Sequence, residues 1–374
     1  MNLAIVITGY NRTESMKNLL NNLLGVKTNI DLPLVISIDN AGTPELNKIV
    51  NEFEWPYGDK RVVIHPEKLG LVKHFIWAGD QTEEFEHVLF LEDDLLVSPE
   101  VIDYSLQMIE FYENVDEVAA ASLYNPVLIE ATGTKFYQLQ DEYDAYFLQQ
   151  PYWGNIWFKN KWREFKEYLK TYEVKPELIP NNVAAWNRSF KKKYIQFLVE
   201  THRTVVTPKI SVVTNNGNAG IHGGDLYAYQ SCLQLENKTY RFPKIGESKA
   251  VYDCFEEIDP NILKAYNLKL QKYDFAVDLL GTKSIFNTPY VLTSRKSKKP
   301  ILHFSSLMKP TELSVVLNSE GDKGIVLSHV DDLVFEKSFE RQRRYKDIKK
   351  NYIVGVWASL YIAKSLIKRL IHIG

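Results

Sequence analysis

The chain has 374 residues, of which 45% are hydrophobic and 25% charged, with a formal net charge of −2. That length allows one large domain or two smaller ones with a substantial core, and the charge balance argues against a nucleic-acid binder, which would carry a strong basic excess. The cysteines, Cys232 and Cys254, form no CxxC pair; this argues against a disulfide framework or a structural zinc site and fits a reducing cytosol.

In chain order, Met1 leads directly into LAIVIT (Leu3–Thr8). With no basic n-region and no long apolar h-region, this run is predicted to be a first strand and not a signal peptide. TESMKNLLNNLL follows with helical periodicity. PLVISID (Pro33–Asp39) predicts a second strand, TPELNKIVNEF a helix, RVVIH (Arg61–His65) a third strand, and LVKHFIWAGDQTEEF another helix. HVLFLE is a fourth strand, EVIDYSLQMIEFYE a helix and EVAAASLY a fifth strand. Strands separated by helices imply a mainly parallel sheet covered on both faces. Beyond Tyr124 the alternation weakens into aromatic-rich loops. Helices are still expected at KNKWREFKEYLKTY and SFKKKYIQFLVETH, and a strand in RTVVTPKISVVT opens into the glycine-rich NNGNAGIHGGD. Little is predicted beyond Glu247.

Ligands of open α/β sheets gather beyond the carboxyl ends of the strands. There the sequence places Thr8-Gly9-Tyr10-Asn11-Arg12, then Asp39, then Glu92-Asp93-Asp94. Three adjacent acids repel one another and are costly to desolvate, so they call for positive charge. A lone acidic triplet is usually a solvated turn, but polar groups from three strand ends converging on one edge favour a site. Carboxylates and water suit Mg²⁺ or Mn²⁺, and a divalent ion can neutralise a nucleotide diphosphate as a leaving group. Asp39 is then a candidate acceptor for a base or ribose, and Arg12 a positive charge near the nucleotide. The 13% of aromatic residues, many between Phe136 and Trp186, offer flat apolar faces with polar edges, as carbohydrate sites do, or serve simply as core.

These motifs carry a family resemblance. The opening strand with YNR, VISIDNAG, HFIWAGDQ, LFLEDDLLVSP, YWGNIWFKNKW and NNGNAGIHGGD together resemble GT-A-type nucleotide-sugar glycosyltransferases. Within these, the chain looks most like the N-acetylglucosaminyltransferase I group and bacterial enzymes of surface-polysaccharide synthesis. The resemblance runs from about Leu3 to Asp225. It implies an α/β GT-A (Rossmann-like) fold, a mainly parallel sheet flanked by helices with a less regular C-terminal extension. The expected divisions are residues 1–246 for the glycosyltransferase domain, 247–340 for the extension and 341–374 for a basic tail.

The resemblance further implies roles. Arg12, Asp39, His74 and Asp93 would contact the nucleotide, Asp94 would ligate the metal, and Glu92 would lie near the sugar. Trp153 and Gly154 would help form the donor-sugar and acceptor pocket. His222 would sit on a closing loop over metal or diphosphate, where Gly217, Gly220, Gly223 and Gly224 permit unusual backbone angles. Each has a plainer reading: His74 as a satisfied core histidine, Arg12 as a surface pair, Trp153 and Trp157 as core, His222 as an ordinary loop residue. The pattern departs at one place. The relatives' Trp-Asp pair, whose acid deprotonates the acceptor, aligns with Trp186-Asn187, and an amide cannot take that proton. Asp225, Glu142 and Asp144 are the other candidates for the base.

The implied function is transfer of a sugar from a nucleoside-diphosphate donor, UDP-linked, to a hydroxyl of a glycan or lipid-linked acceptor, with inversion and with Mn²⁺ or Mg²⁺. Two rivals stand beside it: a sugar nucleotidyltransferase, although TGYNRTES lacks the glycine-rich basic loop such enzymes use, and a non-catalytic carbohydrate-binding or scaffold protein, which Asn187 favours. Finally, six Lys/Arg between Arg341 and Lys350 precede YIVGVWASLYIA and KSLIKRLIHIG. The twelve uncharged residues from Tyr352 to Ala363 would make about 18 Å of helix against a hydrocarbon core of about 30 Å, too short to span. With cationic flanks, an amphipathic tail lying on an anionic membrane surface is expected, hence a cytoplasmic, peripheral protein; a helix docked on protein is the plainer alternative.

Overall fold

The computed structural model describes residues 2–216 and 229–335. The expected alternation is present from the start: β1 (Leu3–Gly9), α1 (Thr13–Leu23), β2 (Leu34–Ile38), α2 (Pro44–Glu52), β3 (Lys60–Ile64), α3 (Leu71–Asp80) and β4 (His87–Glu92). Local chemistry sets these boundaries. Thr43 accepts a hydrogen bond from Leu46 N–H at 3.1 Å and Pro44 opens the helix, so α2 begins with a satisfied cap.

Both faces of the strands are apolar because both are covered. Leu3, Ile5 and Ile7 of β1, with Leu89 and Leu91 of β4, pack into the layer built by α1, α2 and α4 (Val101–Tyr112). Ala4, Val6, Val88 and Phe90 pack into the opposite layer, with α3, α5 (Lys159–Leu169) and α7 (Phe190–Glu200). A short helix, α6 (Asn181–Ala184), precedes α7. Trp157 belongs to the second layer, ringed by Trp162 and Tyr194, each with its centroid 5.0 Å away, and is thus core.

The remaining strands are β5 (Leu95–Val97), β6 (Val118–Ser122), β7 (Ala145–Leu148), β8 (Asn155–Phe158), β9 (Thr204–Pro208), β10 (Val213–Asn215) and β11 (Val251–Tyr252). Among the described residues nine strands form the central sheet, in the order β11-β7-β9-β6-β8-β4-β1-β2-β3. β1, β2, β3, β4, β6 and β9 run in one direction, and β8 is inserted antiparallel between β4 and β6. The protein is therefore α/β with a large, mostly parallel sheet flanked by helices. β7 and β8 lie where the sequence predicts aromatic loops; each is only four residues long, too short to show a period. The antiparallel pair of β5 and β10 was likewise hidden, since Leu95–Val97 reads as a continuation of the acidic turn.

The extension is more ordered than its sequence suggests. After α8 (Pro260–Tyr266), β12 (Phe275–Asp278), β13 (Tyr290–Thr293), β15 (Leu302–Phe304) and β16 (Ile325–His329) form a four-stranded sheet, with α9 (Leu313–Val316) between the last two. β14 (Lys296–Ser297) pairs with β17 (Leu333–Val334) beside it. Its apolar residues, among them Phe275, Leu292 and Leu327, share one cluster with Tyr146, Leu148 and Tyr252 of the main sheet. The expected tail, 341–374, lies outside the described residues.

Candidate active site

The carboxyl ends of β1, β2 and β4 are brought into register by the sheet itself. Thr8 is opposite Glu92, and beyond the strands Asp39 N–H bonds Gly9 O at 2.9 Å and Asp93 N–H bonds Thr8 O at 3.1 Å. Of the residues expected at this edge, Arg12, Asp93 and Asp94 are in direct contact. Arg12 reaches Asp93 at 2.9 Å and Asp94 at 2.6 Å, with the Asp93 side chain only 3% exposed. In this structure the positive charge answering two of the three acids is therefore Arg12. Asp94 Oδ2 takes that bond, whereas its buried Oδ1 has no hydrogen-bond partner among the described residues. Burial, with Asp94 and Asp93 nearby, pushes Glu92 up to about 8. Burial also pushes Asp93 up to about 7, against the pull of Arg12.

Asp39 has both oxygens engaged by backbone, accepting from Leu69 N–H at 2.6 Å and Gly70 N–H at 3.0 Å. It thereby fixes the turn into α3, where Gly70 adopts φ +74°, a left-handed conformation costly for any side chain. His74 is buried on α3, 2.7 Å from Ser37 Oγ, which in turn lies 2.9 Å from the His65 ring. Burial pushes His74 down to about 4; nearby Asp39 opposes this and His65 adds to it. These are the contacts of a satisfied, neutral histidine.

That shift has a stability consequence. An unfolded histidine protonates near 6.5, whereas folded His74 protonates near 4, so between those values the unfolded chain binds the extra proton. Stability is accordingly expected to fall as pH drops from about 6.5 towards 4, by on the order of 2–3 kcal/mol from this residue. Urea midpoints measured from pH 7 to 4.5 for wild type and His74→Gln check it: the variant should lose part of the acid-side slope, and identical slopes would refute the assignment.

Beside Glu92 lies a cavity of about 230 Å³, lined mainly by aromatic and apolar groups including Phe75, Tyr124, Tyr152, Trp153 and Tyr229. Trp153 stands edge-on to Tyr124, with ring centroids 5.0 Å apart. Gly154 precedes β8 at φ +65°, and a Cβ there would come within 2.8 Å of Val213 Cγ2 and 3.2 Å of Leu123 Cβ. Glycine is thus required for backbone packing that aims Trp153 into the cavity. Two further charged residues, Glu130 and Lys191, line the cavity, joined by a 2.6 Å ion pair. Sequence reasoning missed them, since they are far apart in the chain and neither sits in a motif.

Asn187 is exposed just before Ser189, the cap of α7, and does not line the cavity. Glu142 pairs with Arg241 at 2.5 Å and Asp144 with Lys238 at 2.6 Å, both away from the cavity wall. Asp225 and His222 lie outside the described residues. So do the glycines from 217 to 224.

Among the described residues no group of three or more His, Cys, Asp or Glu is arranged to hold a metal. What fits a cation is the buried, unpartnered Oδ1 of Asp94, a single hard oxygen donor next to two further carboxylates.

No protein-family model matches the chain and no curated protein matches it. Solved structures do. The mannosyltransferase PcManGT from Pyrobaculum calidifontis, in complex with GDP-Man and Mn²⁺, is 14% identical over 55% of this chain and 54% of its own, with a TM-score of 0.39. S. aureus TarS 1-349 in complex with UDP-GlcNAc is 13% identical over 61% of each chain, with a TM-score of 0.40. S. aureus TarS is 15% identical over 57% of this chain and 36% of its own, at 0.39. The chain thus spans at most about three-fifths of the structures named. Likeness this partial carries no argument by itself. The chain resembles GT-A-type glycosyltransferases in its motifs, and its own strand order and strand-end acids are the features on which a functional reading has to rest.

Proposed function

We propose that this protein is a nucleotide-sugar glycosyltransferase that moves a sugar from a nucleoside-diphosphate donor, UDP-linked, to a hydroxyl of a glycan or lipid-linked acceptor in surface-polysaccharide synthesis, with inversion. The observation that carries the reading is the meeting of Arg12, from the end of β1, with Asp93 and Asp94, from the end of β4, next to an aromatic cavity that Glu92 and Trp153 both line. Cation-seeking acids suit a diphosphate, and flat rings suit a sugar.

In this reading Asp94, through its unpartnered Oδ1, is the residue that would hold Mn²⁺ or Mg²⁺. When bound, the ion neutralises charge developing on the leaving diphosphate. Arg12 balances the acids before substrate arrives and shares them afterwards. Trp153, Tyr124 and Tyr229 exclude water and fix the sugar ring. The wall residue Glu92 accepts a hydrogen bond from a sugar hydroxyl when ionised and donates one when protonated. Turnover assays with a panel of UDP- and GDP-linked sugars test the reading. Release of nucleoside diphosphate supports it; binding of nucleotide sugars without turnover would favour the scaffold alternative, and pyrophosphate release from nucleoside triphosphate plus sugar phosphate the nucleotidyltransferase.

The reading also makes sense of the tail. Among the described residues no helix is long and apolar enough to cross a membrane. We propose that 341–374 attach the enzyme to an anionic, cytoplasm-facing membrane where lipid-linked acceptors reside. Full-length protein is expected to co-sediment with vesicles containing anionic lipid, while a chain ending at Glu340 stays folded and unbound. Equal sedimentation of both, or unfolding of the shortened chain, would overturn this.

A further inference from the structure

The geometry points to Glu130 as the group that takes the proton from the acceptor hydroxyl, with Tyr152 and Glu256 as positioning residues; the inference rests on the transferase reading above. Among the described residues two carboxylates line the cavity, Glu92 and Glu130. Glu92 stands beside Asp93 and Asp94, where the leaving diphosphate would be bound. In an inverting displacement the nucleophile arrives from the face opposite the leaving group, so the base belongs on a different wall. Glu130 is on such a wall, formed by the loop after β6 and the start of α7, where its partners among the described residues are Lys191 and Glu256 and not Arg12, Asp93 or Asp94.

Glu130 is held by a closed circuit of contacts. Lys191 Nζ donates to Glu130 Oε2 at 2.6 Å and lies 3.9 Å from the centroid of the Tyr152 ring. The Tyr152 hydroxyl donates to Glu256 Oε1 at 2.7 Å, and Glu130 N–H donates to the same carboxyl at 3.2 and 3.4 Å. Glu256 is 4% exposed and adopts φ +60°, left-handed for a residue that is not glycine. Such a conformation costs on the order of 1–3 kcal/mol and persists only where surroundings fix it. Here it delivers one carboxyl to both Tyr152 and the Glu130 backbone. Burial pushes Glu256 up to about 8. The circuit leaves Glu130 Oε1 without a hydrogen bond among the described residues, and the Glu130 side chain is 31% exposed, so an acceptor can reach it.

The step balances. The acceptor O–H proton passes to Glu130 while the acceptor oxygen forms a bond to the anomeric carbon. The bond from that carbon to the β-phosphate oxygen breaks, and its electron pair leaves with the diphosphate. Glu130 then returns its proton to solvent.

Water can stand in for the unidentified acceptor, so the probe is hydrolysis of UDP-GlcNAc and other nucleotide sugars by full-length protein. Glu130→Gln is expected to lower hydrolysis about 10²–10⁴-fold, with UDP affinity by calorimetry within twofold of wild type and the circular dichroism spectrum intact. Glu130→Asp should recover part of the rate. Tyr152→Phe should lower kcat with little change in KM and displace the acidic limb of the pH–rate profile, a change that simple loosening of the fold would not produce. Glu130→Gln turning over within threefold of wild type would overturn the inference while leaving the transferase reading standing. Loss of UDP binding in parallel with rate would overturn it too, since Glu130 would then serve the donor. A wild type that turns over no donor in the panel would overturn both.

Discussion

Asp94→Asn is expected to reduce donor turnover at least about a hundredfold, on the scale of removing one preorganised electrostatic group from an active site. The substitution keeps size and shape but removes one negative charge. Asp94 Oδ2 accepts from Arg12 at 2.6 Å, and Oδ1 is buried without a partner. An amide offers an NH₂ in place of one of these oxygens, so it must set a donor either against the Arg12 guanidinium or toward the cation. Both arrangements oppose a bound divalent ion. EDTA should therefore reproduce the loss in wild type and add little to it in Asp94→Asn. Turnover that survives EDTA in wild type would sink the metal role of Asp94, whatever the variant does.

The strand-end arrangement was legible because it is a consequence of local pattern. Apolar runs such as Leu3–Thr8 and His87–Leu91 are readable as doubly covered strands, and the polar residues that follow them must then emerge at one edge of the sheet. Arg12, Asp39 and Glu92-Asp93-Asp94 could be collected that way without knowing any contact. Who pairs with whom could not. Arg12 meets Asp94 across 82 positions of sequence, and Lys191 meets Glu130 across 61; such pairings follow from packing, not periodicity. His74 shows the limit from the other side. Its place on α3 was readable, but the serine from β2 that lies 2.7 Å from its ring was not. The second wall of the cavity was invisible because it is assembled from a loop, the N-terminus of α7 and a left-handed glutamate more than a hundred residues further on from that loop.

Arg12→Ala is expected to destabilise the protein by about 2–4 kcal/mol, somewhat less than the roughly 3–5 kcal/mol for removing one partner of a fully buried ion pair. The discount reflects geometry: the Asp93 side chain is 3% exposed, but that of Arg12 is 29% exposed, so water partly replaces what it loses. Stability alone does not separate a structural pair from a functional one, so the informative measurement is its dependence on a divalent cation. If Arg12 balances acids that otherwise attract a metal, removing it leaves that attraction unopposed. Millimolar Mn²⁺ should then raise the urea midpoint of Arg12→Ala more than that of wild type, because an ion bound by the folded acids alone stabilises the fold by mass action. Asp94→Asn in the Arg12→Ala background should abolish the Mn²⁺ effect, locating it at that carboxylate. A midpoint indifferent to Mn²⁺ in Arg12→Ala would mean that the three acids at the end of β4 were satisfied by Arg12 and by protons, and that no cation is attracted there in the absence of a diphosphate.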